Sequence, residues 1–250
     1  QGTAAISPDS KETFSLGPSD AEKSNMPSRK FPSNASSNFA PALTRYYSAM
    51  EHLARILFQG FSMALKLEGA SWFLEEGRFD DGHQCALRIL NYPELEYVLT
   101  DATPLHIRAG AHTDYGAMTI LKSGGPGLQL CTDKDSAAWI DVPHLEDSFI
   151  INLGDLMQRW TNDTWKSTLH RVVATNSDGD NRASDDGEIL FKSARRQSIA
   201  FFVNMNGNAT IEPLETCVDE SHPSRYVPIK ASEHLIQRHK QSMMARGENE

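Results

Sequence analysis

Six short runs rich in β-branched and aromatic residues, each bounded by Gly, Pro, Asn or Asp, do most to limit the folds open to this chain. They cover 85–92, 117–122, 127–131, 148–153, 169–174 and 198–204. Each is long enough for a strand and too short for a stable helix, and the turn residues between them predict an antiparallel sandwich or barrel. Ahead of these runs, Leu43, Tyr46, Met50, Leu53, Leu57, Phe61 and Ala64 recur at steps of three and four, as one buried helical face requires. The spacing predicts a long helix over 40–67. A weaker pattern, Ala231, Leu235, Ile236 and Met243, predicts a closing helix over 230–246. Residues 1–38, rich in Ser, Pro, Lys and Asn, show no sustained period and are expected to be an irregular lead-in. The segment 176–188, with four Asp residues and one Glu, is expected to be an acidic surface loop.

With 250 residues, 39% of them hydrophobic and 23% charged, the chain suits one sizeable core. A net charge of −9 disfavours nucleic-acid or anionic-membrane binding through a broad basic surface, because that mode needs Lys and Arg to displace counterions. Its longest apolar stretches are too short to span a bilayer. Cys85, Cys131 and Cys217 are isolated and odd in number, so neither a disulfide framework nor a CxxC zinc site is expected. These features predict a cytoplasmic protein that is a monomer. The first residue is Gln1, as in a processed chain or a piece of a longer one.

The chemistry concentrates in Ala111-His112-Thr113-Asp114-Tyr115-Gly116. An imidazole and a carboxylate two residues apart, at the expected start of a strand, share a face and can reach one metal ion. His170, 56 residues beyond Asp114 and on another predicted strand, supplies a third ligand. Two His and one carboxylate cap one face of an octahedron and leave the opposite positions exchangeable, which suits oxygen-activating Fe(II). Zinc prefers a tetrahedral set, often with thiolate, and no Cys is near. Further on, Arg196 and Ser198 open an apolar strand with a cation and a hydroxyl on one face, a fit for a carboxylate.

His112-Thr113-Asp114, the lone His170 and Arg196-x-Ser198, in that order, resemble the isopenicillin N synthase-like family of Fe(II)/2-oxoglutarate oxygenases. Leu87-Arg88-Ile89-Leu90-Asn91-Tyr92-Pro93, Asn152-Leu153-Gly154-Asp155 and Tyr226-x-Pro228 add to the likeness. The resemblance implies a mainly β chain with flanking helices around a double-stranded β-helix, or jelly-roll, core. It divides the chain into a lead-in at 1–38, a helical support at 39–84, the core at 85–229, and a C-terminal helix and tail at 230–250. It also implies a metal triad of His112, Asp114 and His170, catalytic through the metal, at one open end of the roll. Arg196, Ser198 and Tyr92 are implied as the 2-oxoglutarate site, and Phe202 as a neighbour of the metal pocket.

The function implied is oxidation of a small organic substrate, by hydroxylation or desaturation, with dioxygen consumed and succinate and CO2 released. Fe(II) is the implied cofactor and 2-oxoglutarate the co-substrate; ascorbate serves some family members. Two alternatives share the fold: an Fe(II) oxidase that does not consume 2-oxoglutarate, and a non-catalytic ligand-binding relative. Family members carry a longer N-terminal region than the lead-in found here. Asn152 and Asp155 are expected to be mostly structural, with Asp155 capping a helical turn. Arg108, Tyr115 and Asn204 are expected to flank the pocket. His106, His144, His222, His234 and His239 have no partner at useful spacing and are expected at the surface or locally bonded.

Overall fold

A computed structural model describes residues 11–75, 77–80, 82–99, 106–133, 138–176, 182–183 and 189–245. Its strands are β1 (Glu12–Leu16), β2 (Ala86–Tyr92), β3 (Leu95–Leu99), β4 (Ile107–His112), β5 (Met118–Ser123), β6 (Leu128–Asp133) and β7 (Ala138–Asp141). They continue with β8 (Ile150–Leu153), β9 (His170–Val173), β10 (Arg182–Ala183), β11 (Ile189–Ser193), β12 (Arg196–Val203), β13 (Thr210–Ile211) and β14 (Ile229–Lys230). The helices are α1 (Ala21–Ser24), α2 (Phe39–Ala64), α3 (Asp155–Trp160) and α4 (Ala231–Ala245).

Five strands in the order β1-β2-β12-β5-β8 form one antiparallel sheet, and four in the order β4-β9-β6-β7 form another. Strand alternation divides the larger sheet into two faces. Leu87, Phe201, Val203, Met118 and Ile120 turn outward and join the main core with Tyr47, Met50, Ala54 and Phe58 of α2. The ring of Tyr47 meets that of Phe201 edge-on at 5.0 Å, and its hydroxyl donates to the Cys85 carbonyl at 3.0 Å. The helix forms where the spacing predicts it, but its buried face is turned from the expected one. Leu43 and Met50 are buried as expected, whereas Tyr47, Ala54, Phe58 and Ser62 are buried in place of Tyr46, Leu53, Leu57 and Phe61, which are only half-buried, and Ala64 is exposed. Leu90, Tyr92, Leu121 and Ile150 turn inward and pack with Ala109, Leu128 and Val172 of the smaller sheet. Two antiparallel sheets facing each other, with helices against the outer face of one, make a jelly roll, the double-stranded β-helix arrangement.

The lead-in differs from expectation. Glu12–Leu16 pairs antiparallel with β2 over five residues, although only Leu16 is buried. An edge strand needs backbone partners more than apolar side chains, so its polar sequence concealed it. β3 and β11, which pair with each other, and β4 and β7 also went unpredicted. Of the acidic segment 176–188, only Asn176 and the two-residue β10 are among the described residues; the rest of that expected loop lies outside them.

Candidate metal centre

His112 is the last residue of β4, and its register partner across the sheet is His170, the first residue of β9. The two rings sit 4.4 Å apart between centroids. Asp114 lies beyond the end of β4, in the turn before β5, rather than at the start of a strand. Alternation therefore does not bring Asp114 beside His112. β4 is irregular at two points in its pairing with β9, and the turn is drawn inward by its own hydrogen bonds. The Asp155 amide donates to the Asp114 carbonyl at 2.7 Å, and the Gly154 amide to the Ala117 carbonyl at 3.0 Å. Gly154 is pressed so closely against this turn that a Cβ there would lie 2.2 Å from the Gly116 carbonyl oxygen and 3.0 Å from that of Asp114. Only glycine allows the contact.

One ligand atom from each of His112, Asp114 and His170 lies within 4.8 Å of the other two. The Nδ1 of His112 is 2.7 Å from the Gly110 carbonyl, and that of His170 is 2.9 Å from the Thr168 carbonyl. A carbonyl can only accept, so each Nδ1 carries the proton and each Nε2 keeps its lone pair for a metal. His170 Nε2 stands 3.9 Å from Asp114 Oδ1. The other Asp114 oxygen, Oδ2, accepts from Asn152 Nδ2 at 2.7 Å, which turns Oδ1 toward the imidazoles. Burial, followed by the neighbouring His170, holds the His112 pKa below its ordinary value, opposed by the Gly110 carbonyl and Asp114. A neutral imidazole is the form that binds metal. The donor set and its tautomers therefore fit a divalent ion of the Fe(II) type.

Between the sheets lies a cavity of about 370 Å³ whose lining includes all three residues together with Asn152, Phe202 and Arg196. Arg196, only 6% exposed, donates from Nη1 to Ser198 Oγ at 2.6 Å, from Nη2 to Ser123 Oγ at 2.8 Å and from Nε to the Gly125 carbonyl at 3.2 Å. Its guanidinium lies 5.3 Å from the centre of the Tyr92 ring, its register partner on β2. Burial lowers its pKa, opposed by Tyr92. Arginine nonetheless keeps its charge in proteins. No acidic side chain among the described residues pairs with this buried cation. Its hydrogen-bond partners are neutral, and an anion in the cavity would complete it.

Of the residues singled out from sequence, His112, Asp114, His170, Arg196, Ser198, Tyr92 and Phe202 all line this one cavity. Arg108, Tyr115 and Asn204 do not. Arg108, 1% exposed, donates to the Ser193 and Ala194 carbonyls; Tyr115 packs edge-on against His239 at 5.3 Å; Asn204 donates to the Gln84 carbonyl. Neighbours in sequence leave a strand end in other directions. Asp155 does not cap α3 with its side chain, since Gly154 is the capping residue; its carboxylate accepts from Thr113 and pairs with Arg238 at 2.6 Å. His234 is buried and not at the surface. Sequence reasoning undervalued Asn152 and missed Ser123. The alternation of Thr119, Leu121 and Ser123 on β5 was the available signal for the latter.

Residues 84–205 match the model of the 2OG-Fe(II) oxygenase superfamily, a span that contains the triad and the arginine site. The chain belongs to that superfamily. Among curated relatives it is 30% identical over 203 residues to homoarginine-6-hydroxylase 2-ODD-233 of Oryza sativa subsp. japonica, covering 81% of this chain and 56% of that protein. It is 31% identical to the 2-oxoglutarate-Fe(II) type oxidoreductase hxnY of Emericella nidulans, covering 82% and 52%. The chain thus spans about half the length of these superfamily members. A full-length Neurospora crassa protein solved in complex with alpha-KG superposes with a TM-score of 0.77 at 28% identity, covering 94% of this chain and 67% of that one. A 2OG-Fe(II) oxygenase family protein from Caulobacter crescentus gives 0.74 at 26% identity, covering 96% and 73%.

Proposed function

We infer that this superfamily member is an Fe(II)- and 2-oxoglutarate-dependent dioxygenase that hydroxylates or desaturates a small organic substrate and releases succinate and CO2. The observation that carries the reading is a His pair and a carboxylate converging on one cavity that also holds a buried arginine without an acidic partner among the described residues. His112, Asp114 and His170 are assigned as iron ligands. Arg196, Ser198 and Tyr92 are assigned to the distal carboxylate of 2-oxoglutarate, with Ser123 added because it shares the guanidinium. Fe(II) and 2-oxoglutarate, when bound, would supply the electrons that activate dioxygen, the oxidant, so that one of its oxygen atoms enters succinate and the other is available to oxidise a substrate C–H bond.

The protein's contribution is position and dryness. Gly110 and Thr168 fix the imidazole tautomers, Asn152 aims the Asp114 carboxylate, and Arg196 sets the depth and direction of the co-substrate. Leu121, Ile150, Ala200 and Phe202 keep the wall of the cavity apolar where substrate meets the metal. The core at 85–229 carries the site, with 39–84 as its support and 230–250 as a closing helix and tail. We further place the protein in the cytoplasm as a monomer without nucleic-acid or membrane partners, supported by its acidic charge and three buried free cysteines. Among the described residues, no helix is long and apolar enough to cross a membrane.

Release of labelled CO2 from carboxyl-labelled 2-oxoglutarate tests the reading. The wild-type chain with Fe(II) and oxygen is expected to release it, even slowly without substrate, and His112→Ala and Asp114→Ala are expected to release none. Retained release in either variant contradicts the metal assignment, and no release by wild type contradicts the use of 2-oxoglutarate.

A further inference from the structure

The cavity carries more positive charge than the proposed chemistry uses. Although the chain has a net charge of −9, the cavity lining includes Lys11, Arg88, Lys166 and Arg196 against a single carboxylate, Asp114. With Asp114 assigned to the metal and Arg196 to the co-substrate, Arg88 and Lys166 remain beside Lys11.

Arg88 is the best placed of them. It follows Tyr92 and Leu90 at two-residue steps along the inward face of β2. Its register partner on β12 is Ala200, whose small side chain leaves room above the sheet, and its partner on β1 is Ser15. Its Nε donates to Ser15 Oγ at 3.1 Å, and its guanidinium carbon lies 5.3 Å from the centre of the Phe202 ring. Arg88 is exposed, and these two contacts hold its guanidinium at one nitrogen and one face. Among the described residues, no carboxylate pairs with it and no hydrogen bond is made by its two terminal nitrogens. A guanidinium offering two parallel N–H groups beside an apolar wall is a receptor for a planar anion. Leu90, Leu121, Ile150 and Phe202 supply that wall. The half-buried Lys11 and the exposed Lys166 add field of the same sign.

We propose that the prime substrate is a small apolar molecule bearing a carboxylate, and that Arg88 binds that carboxylate. The substrate class rests on the oxygenase reading for its chemistry, but its binding can be measured without turnover. The full chain, held anaerobic with Fe(II) and 2-oxoglutarate, is titrated calorimetrically with phenylacetate, 3-phenylpropionate and 4-phenylbutyrate, and separately with their amides. At least one acid is expected to bind about tenfold or more tighter than its amide, the order set by one charge-assisted pair. Arg88→Gln is expected to abolish that preference and Arg88→Lys to keep part of it, both with the wild-type melting temperature and 2-oxoglutarate affinity. Binding of amides as tight as acids, binding of no acid, or an acid preference surviving in Arg88→Gln overturns the proposal. So does a loss of 2-oxoglutarate affinity in Arg88→Gln equal to the loss for the acid, because the cations would then serve entry of the co-substrate. An acid preference that persists in a chain releasing no CO2 from 2-oxoglutarate leaves the Arg88 site standing and removes the oxygenase reading instead.

Discussion

Asp114, a proposed metal ligand, shows how much of a carboxylate's behaviour is set by its neighbours. One of its oxygens is taken by Asn152 at 2.7 Å, so the carboxylate has one free direction, toward the two imidazoles. Asn152→Ala is expected to leave the fold intact and weaken Fe(II) binding by about tenfold to a hundredfold, the usual effect of losing a partner behind a metal ligand. Competition with a chromophoric chelator measures it, and unchanged affinity removes Asn152 from the site. Arg196→Ala is expected to weaken 2-oxoglutarate binding by about 2 kcal/mol or more, read by calorimetry, because a buried carboxylate would lose its charged partner. His112, Asp114, Arg196 and Ser198 were legible in the sequence because their chemistry sits in short local patterns, and the lone His170 was reached through the family resemblance and its place on a predicted strand. Asn152 and Ser123 were not legible, because their roles depend on cross-strand neighbours, Asn152 opposite Thr119 and Ser123 opposite Ser198.

Among the elements, α4 is tied to the metal turn. Arg238 pairs with Asp155 at 2.6 Å and donates to Thr113 Oγ1 at 3.1 Å, while Thr113 itself donates to Asp155 at 3.0 Å. Thr113 stands between His112 and Asp114, so the C-terminal helix braces the loop that carries two of the proposed ligands. Arg238→Ala is expected to lower Fe(II) affinity several-fold with little change in melting temperature, since the pair is partly exposed and contributes little to stability. A fall in melting temperature without a change in metal affinity would make the contact merely structural. The spacing of Leu43, Met50 and Phe61 announced α2, whose observed span is Phe39–Ala64. β1 stayed hidden because an edge strand with one buried residue has no apolar alternation to betray it. The position of Asp114 beyond β4 was hidden for a related reason: irregular pairing breaks the two-residue rule on which the expectation stood.

For the molecule as a whole, the short strand runs and the turns between them predict an antiparallel sandwich or barrel, while the jelly roll, in which inward residues meet across two sheets, is implied only by the family resemblance. Which strands become neighbours was not readable, because antiparallel order depends on long-range pairing such as that of β2 with β12. Folding also sets a pH dependence. Burial lowers the pKa of His234 below its ordinary 6.5, and His112 shifts in the same direction. Between the folded value and 6.5 the unfolded chain binds more protons, so stability falls as pH falls through that window. Chelator-treated protein is expected to melt at a lower temperature at pH 5 than at pH 7, and His234→Gln is expected to reduce the difference. An equal difference in the variant removes His234 as a source. Anaerobic titration of the purified chain with Fe(II) and then 2-oxoglutarate, followed by visible absorption, tests the shared metal and co-substrate site most directly. A weak charge-transfer band that saturates at one equivalent of each ligand and vanishes in His170→Ala is the predicted result; a folded wild-type chain without the band, or a His170→Ala variant that keeps it, is the contradicting one.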